Sequence, residues 1–302
     1  MDKSGRLVYR HLTKAEFMTL ISILIGLALE YFAGSLDHLR NFSWFDRYLR
    51  WIELQCSRFA RWQGPAGVLI TLAPPLLVLF FVGHILGNVN IALAVLLSIA
   101  VFVYSLGPNL NSLVNDYLAA LEQDDEEKAQ QLESQLLIKT PPGERPGHDM
   151  ISSILLRSHD YIFGVLFWFV LLGMTGALLY ALVIRMNDKF AELRGGYAAA
   201  VHNLYDILIW PSARLQALGF ALGGSLVDAL DGWRHVQGDT LSSSRNIIVS
   251  SGLGAIQYSD TAADDEEMSD VEWISEARAL VNRALVVWLT VLGILTIGGF
   301  LK

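Results

Sequence analysis

Charged residues and cysteine are both scarce in this sequence of 302 residues. Only 17% of the residues are charged, against about 25% in an average soluble domain. Hydrophobic residues make up 53%, and the mean hydropathy is +0.41. This balance excludes an ordinary soluble protein and predicts membrane embedding. The single cysteine, Cys56, excludes an internal disulfide and a cysteine-based metal centre.

Basic patches and the common catalytic motifs are absent as well. The net charge of −8 comes largely from two acidic segments, 124–127 and 264–270, so we expect no nucleic-acid partner. The sequence has no phosphate-binding loop ending in Lys and Ser or Thr, no HExxH and no CxxC. We therefore expect no metal and no cofactor, and the residues identify no catalytic group.

Long apolar runs dominate what is present. Crossing a bilayer as a helix takes roughly 17 to 25 apolar residues. No segment alternates apolar and polar residues cleanly, so the predicted fold is all-α, a polytopic membrane protein with about five transmembrane helices. The first run is too long for the apolar core of a signal peptide, and we predict a retained helix. The five runs are 17–33, 66–85, 91–106, 162–184 and 284–301.

Prolines, glycines and charges divide the rest of the chain. Pro74 and Pro75 predict a kink or break in the second run, and the short link at Gly87 and Asn88 predicts an antiparallel hairpin with the third. Apolar spacing in 110–138 predicts two amphipathic extramembrane helices with a turn at the acidic segment. We expect one domain, 1–302, with that helix pair and a polar loop region at 185–283. The basic residues flanking the first run do not decide the orientation.

The segment DILIWPSARLQAL, residues 206–218, carries an acid, a proline and an arginine in apolar surroundings. Because proline cannot donate a backbone hydrogen bond and favours the first turn of a helix, we predict a turn at Trp210 and Pro211 that starts a new amphipathic helix. Asp206 and Arg214 would then lie on either side of the turn. On an unbroken helix they would share one face, about 12 Å apart. Arg214 either binds an anionic partner, protein or ligand, or is an interface arginine that snorkels or caps a neighbouring carbonyl.

The order of several motifs resembles a known family. An amphipathic pair SLVNDYLAALEQDDEEKAQQLESQLL is followed by SHDYIFGVLFW, GALLY and WPSARL, and these cover most of 110–230. The pattern resembles the membrane proteins AmpE and CobD/CbiB. The CobD/CbiB branch implies ATP-dependent amide formation between an aminopropanol-type side chain and a corrinoid acid. The AmpE branch implies an inner-membrane protein associated with β-lactamase induction and the recycling of cell-wall fragments.

Particular positions favour the AmpE branch. The synthetases carry a Glu-Asn-x-x-Asp-Gly run where this chain has Leu156, Arg157, Asp160 and Tyr161, so only the Asp is kept. A later Asn-Thr-Leu-Asp run is replaced by residues 184–187, which read IRMN. Loss of these oxygen ligands argues against a site for phosphate and metal. The Ser-Pro-Asn-Ala-Gly segment of the synthetases has a short counterpart in residues 243–246.

Three hypotheses follow: a regulatory membrane protein, a synthetase, or a helical subunit of a larger complex. Expected partners are the lipid bilayer and a protein or a cell-wall fragment. Ionisable residues near membrane depth are costly unless they are paired or functional, which guides the choice of candidates. The candidates for ligand or partner binding are Asp160, Asp206, Arg214 and Asn246, and the interface or structural candidates are Glu30, Trp168, Trp210 and Pro211.

Overall fold

A computed structural model describes residues 20–29, 40–56, 64–138, 146–236, 238, 240–258 and 268–298. Within these ranges the secondary structure is helical and contains no strand, which confirms the predicted all-α class. The helices are α1 (Leu20–Leu29), α2 (Ser43–Cys56), α3 (Pro65–Val89), α4 (Ile91–Ser105), α5 (Leu110–Glu122), α6 (Glu126–Leu136), α7 (Pro146–Ser158), α8 (Gly164–Phe190), α9 (Gly196–Gly223), α10 (Leu226–His235), α11 (Ser244–Ala255) and α12 (Asp270–Ile297).

Four stretches are long and apolar enough to cross a membrane, and the shorter α1 is also apolar. Much of their surface is exposed in the protein, as expected of helices that face lipid. Four of the five predicted runs fall on these stretches, so the polytopic membrane class is confirmed. The first run is described only over α1, and that it crosses the membrane stays a prediction. The four stretches are Pro65–Val89, Ile91–Glu122, His148–Phe190 and Asp270–Ile297.

The chain forms two compact units. The first comprises Met1–Gly107, Val165–Leu208 and Val291–Lys302, and the second comprises Pro108–Gly164 and Ile209–Thr290. In the first unit, the rings of Phe102 and Phe169 pack 4.7 Å apart between centroids, and both side chains are buried. In the second unit, Phe163 packs against Phe220 and Trp288.

The prediction for Pro74 and Pro75 is a kink or a break, and the break is wrong because α3 runs through both prolines. A proline at position 75 leaves the carbonyl of Thr71 without its usual intrahelical donor. The hydroxyl of Tyr48, from α2, donates to that carbonyl at 3.1 Å. A side chain from another helix therefore replaces the missing backbone bond, which is a known way for apolar helices to tolerate proline.

The predicted hairpin of α3 and α4 is confirmed, but its link is shorter than expected. Asn90 alone separates the two helices, and its side-chain oxygen accepts a hydrogen bond from the N–H of Ala92 at 2.8 Å. Met174 contacts both partners: it receives a hydrogen bond from Ser98 on α4 and fills the space beside Gly83 on α3. Gly83 and Ser98 are nearly the same number of residues from Asn90, before and after it, as an antiparallel pair requires.

Helix α9 also continues through a proline, so the turn predicted at Trp210 and Pro211 is wrong. Asp206 and Arg214 therefore belong to one helix and are not divided by a turn. Pro211 leaves the carbonyl of Ile207 without its usual intrahelical donor, and side chains bond the three carbonyls between that residue and the proline. Leu208 accepts from Trp168 Nε1 at 3.1 Å, Ile209 from Ser212 Oγ at 3.2 Å, and Trp210 from Arg214 Nη1 at 2.7 Å.

The amphipathic pair at 110–138 forms as predicted, as α5 and α6. The turn between them includes Asp124 at φ 53°, and Asp125 caps α6 by accepting from the N–H of Lys128 at 3.1 Å. Most of the region predicted as a polar loop, 185–283, is helical where the structure describes it. That either segment lies outside the membrane stays a prediction.

Glycines permit close helix packing in the second unit. A β-carbon on Gly232 of α10 would lie 2.3 Å from the carbonyl oxygen of Ser250 on α11. One on Gly254 of α11 would lie 2.2 Å from the carbonyl oxygen of Asp228. Only a hydrogen fits at these positions, so the two backbones approach each other directly.

Candidate functional site

A single π-helical turn, His159–Phe163, separates α7 from α8 and coincides with the SHDYIFG motif. Such turns contain one extra residue relative to the α-helix and often occur at functional sites. In the second unit this turn places His159 and Asp160 in the interior, next to the buried Ser158. Buried polar groups are costly unless they are hydrogen-bonded, so their partners decide what the turn does.

The WPSARL motif and the residue after it supply those partners from α9. Ser212 and Gln216 are one helical turn apart, and both are fully buried. His159 Nδ1 contacts Gln216 Oε1 in a short hydrogen bond, and His159 Nε2 lies 3.1 Å from Ser212 Oγ. Gln216 Nε2 donates to Ser158 Oγ at 2.9 Å. We call Ser158, His159, Ser212 and Gln216 the polar cluster.

The donors and acceptors of the polar cluster form one directed chain. Gln216 Oε1 can only accept, so His159 carries its proton on Nδ1, and the single Ser212 hydroxyl proton is shared between His159 Nε2 at 3.1 Å and the carbonyl of Ile209 at 3.2 Å. Ser158 accepts from Gln216 and donates to the carbonyl of Leu155 at 2.6 Å. A neutral histidine therefore satisfies every member of the cluster. Such a fully bonded buried network holds its helices in one arrangement.

Arg214 forms a second junction on the same helix. Its guanidinium donates to the carbonyl of Trp210 at 2.7 Å and to Ser244 Oγ at 3.2 Å. The guanidinium carbon lies 4.3 Å from the centre of the Trp210 ring, a cation–π distance. Ser244 is buried and donates in turn to the carbonyl of Leu241. Arg214 thus joins α9 to the start of α11.

The remaining predicted site residues lie in several places. Asp160 is buried beside His159, whereas Asn246 is exposed on α11, two residues beyond Ser244. Trp168 and Asp206 belong to the first unit, and both are half-buried. Glu30 lies outside the described residues.

Sequence reasoning missed Ser158, His159, Ser212 and Gln216. The available signal was a pair of polar residues one helical turn apart, Ser212 and Gln216, beside apolar neighbours. Among the described residues, no group of three or more His, Cys, Asp or Glu side chains is arranged to hold a metal ion.

The helices and the polar cluster define the class of this protein: an all-α, multi-pass membrane protein with a buried hydrogen-bonded junction. The chain belongs to the AmpE family. The family model described as "Regulatory signalling modulator protein AmpE" matches residues 18–302.

Two curated relatives are similar over a shorter part of the chain. "Cobalamin biosynthesis protein CobD" of Chromobacterium violaceum is 33% identical over 116 residues, 36% of this chain and 36% of that protein. The protein of the same name from Stutzerimonas stutzeri is 33% identical over 111 residues, 34% of this chain and 35% of that protein. The matched part thus spans about a third of these relatives' length. No solved structure matches the chain.

Proposed function

We propose that this protein is a regulatory component of the bacterial inner membrane that modulates β-lactamase induction in response to cell-wall recycling. The observation that carries the proposal is the polar cluster: two family motifs meet there, and their polar atoms bond to one another instead of facing a substrate. All four side chains of the polar cluster are 0% exposed. Such an arrangement favours coupling between helices over chemistry on a bound molecule. The family match supports the regulatory role.

The positions that depart from the synthetase motif have packing roles, which agrees with this proposal. Leu156 is buried in the second unit. The Arg157 side chain donates to the carbonyl of Leu136 on α6 at 3.4 Å and lies over the ring of Tyr161. These residues stabilise contacts between helices where the synthetases carry polar groups.

A complementation experiment tests the regulatory proposal. The gene is deleted, and β-lactamase activity is measured with and without a β-lactam inducer. Plasmid-borne wild-type protein should restore the parental induction ratio. A Gln216→Met variant present at the same membrane level should restore it only in part, whereas the exposed Gln131→Met should match the wild type. An unchanged induction ratio in the deletion strain would contradict the proposal.

We further propose that Arg214 supports folding or partner binding and has no role in turnover. Its bonds join α9 to Ser244, which is the behaviour of a structural residue. An Arg214→Ala variant is expected to unfold at lower temperature and to release any co-purifying partner. A variant that kept its fold and partners while losing an ATP-dependent activity would contradict this role.

The alternative is an ATP-dependent amide-forming synthetase of the corrinoid pathway, favoured by the local similarity to the CobD proteins. Purified protein would then release ADP only when an amine phosphate and a corrinoid acid are both present. A matched reaction without the amine separates coupled ATP use from background hydrolysis.

A further inference from the structure

Helix α2 is amphipathic, but its outward face is not purely polar. Phe45, Leu49 and Ile52 are buried in the first unit. On the opposite side Trp51 is 58% exposed and Leu54 is 77% exposed. Large exposed apolar side chains of this kind, when grouped, mark a surface that contacts something other than water. The outward face includes Trp44, Arg47, Arg50, Trp51 and Leu54, and the exposed Glu53 and Gln55 lie at its margins.

Three contacts place α2 at the ends of apolar helices. Tyr48 bonds to Thr71 in the second turn of α3. Trp44 Nε1 donates to the Tyr104 hydroxyl, near the end of α4, at 2.7 Å. Asp46 forms ion pairs near the end of α8, at 2.8 Å with Arg185 and 3.8 Å with Lys189.

Helix α2 therefore lies beside three helix ends that share one level along the helix axes: the start of α3, the end of α4 and the end of α8. All three helices belong to stretches long and apolar enough to cross a membrane. The ends of such helices lie where hydrocarbon meets water, the zone in which tryptophan and tyrosine are enriched. Helix α2 accordingly has the position of an interfacial helix.

The two arginines of the outward face bond within their own helix. The side chains of Arg47 and Arg50 bond to backbone carbonyls one turn earlier, at 3.3 Å from Ser43 and 3.4 Å from Asp46. In the part of the chain that the structure describes, neither guanidinium forms an ion pair with a carboxylate. Two arginines without an ion-pair partner among the described residues, beside exposed apolar groups at the interface, match the chemistry of an acidic phospholipid.

We propose that the outward face of α2 binds acidic phospholipids of the bilayer in which the protein is embedded. Arg47 and Arg50 contact the lipid phosphates, while Trp51 and Leu54 enter the boundary between headgroups and acyl chains. This lipid contact is separate from the regulatory function proposed above.

The test uses the full chain purified in a neutral detergent and exposed to equal amounts of phosphatidylglycerol or phosphatidylcholine. Bound lipid is counted by native mass spectrometry. We expect the wild type to retain phosphatidylglycerol in preference to phosphatidylcholine. From the attraction of a basic side chain to an anionic lipid surface, an Arg47→Gln/Arg50→Gln variant should bind phosphatidylglycerol about 30-fold less tightly.

A charge-matched control is Arg234→Gln/Arg278→Gln, which removes two arginines from the second unit and should retain wild-type lipid binding. Circular dichroism and the unfolding temperature in lipid-free detergent check that every variant is folded. Equal phosphatidylglycerol binding by the Arg47/Arg50 variant and the wild type would overturn the proposal. The proposal would also be overturned if the Arg47/Arg50 variant lost phosphatidylcholine to the same extent as phosphatidylglycerol. A stoichiometric protein partner that binds the wild type and not this variant would overturn it as well.

Discussion

The polar cluster predicts a specific stability effect for Gln216→Met. Methionine has nearly the volume of glutamine, so the substitution removes hydrogen bonds with little change in packing. Two buried bonds are lost, one to His159 and one to Ser158. Ser158 keeps its bond to the carbonyl of Leu155, whereas His159 Nδ1 loses the acceptor that Gln216 supplies.

The loss of this acceptor sets the size of the expected destabilisation. Hydrogen bonds between helices in membranes contribute about 0.6 kcal/mol each, so the two bonds alone account for about 1 kcal/mol. A buried donor without a partner costs roughly 1 to 3 kcal/mol. We therefore expect a destabilisation of about 2 kcal/mol. At about 2 °C per kcal/mol for a chain of this size, the unfolding temperature should fall by about 4 °C.

A double-mutant cycle with His159→Phe isolates the pairwise contribution. Each single substitution strands the other partner, but the double substitution removes both, so the double variant should be less destabilised than the sum of the singles by about 1 kcal/mol or more. Unfolding is followed by tryptophan fluorescence in detergent, with Gln131→Met as the exposed control. Additive effects in the cycle, or a Gln216→Met variant as stable as the wild type, would refute the hydrogen-bonded cluster.

Three other perturbations have defined outcomes. Tyr48→Phe should destabilise the protein by about 1 kcal/mol in thermal unfolding, and adding Pro75→Ala should remove the effect because an alanine N–H then bonds to Thr71. Gly232→Ala should cost about 1 to 3 kcal/mol because its β-carbon would meet the Ser250 carbonyl, while Gly64→Ala, which meets nothing within 4 Å, should be neutral. Hydrogen bonds from Ser225 and Gln257 lower the pKa of Asp228 below its ordinary 3.8. The stability difference between wild type and Asp228→Asn should therefore be fully present above pH 3.8 and be lost as the pH falls from there through the lowered pKa of the folded state.

The transmembrane helices could be predicted because their signal is local. An apolar run of sufficient length has few alternatives to a membrane helix, and the hairpin of α3 and α4 follows from its short link. The acidic turn before α6 was also predictable, since Asp125 and the glutamates after it suit a helix N-terminus.

The prolines misled the prediction for a physical reason. Proline removes one backbone donor, and whether the helix then breaks depends on what else can bond to the freed carbonyls. Tyr48 reaches the freed carbonyl of Thr71 from 23 residues away, and Trp168 reaches the carbonyl of Leu208, next to the one that Pro211 frees, from 40 residues away. Nothing in the sequence around Pro75 or Pro211 reveals these donors.

The candidate site was only partly predictable for the same reason. The two family motifs were recognised, and Asp160 and Arg214 lie in them. The contact between them joins residues 53 to 58 positions apart, and it depends on a π-helical turn that the periodicity does not reveal. Sequence reasoning favoured the charged residues, whereas the bonds that the structure shows joining the motifs are made by neutral side chains.

The directed chain of bonds from Ser212 to Leu155 has a consequence for how related sequences diverge. Because each member donates to the next, a change at one position reverses or removes a bond that its neighbour needs. Substitutions at Gln216 and His159 should therefore occur together among relatives, with both positions polar or both apolar. The cluster is expected to evolve as one unit, even where the surrounding apolar residues vary independently.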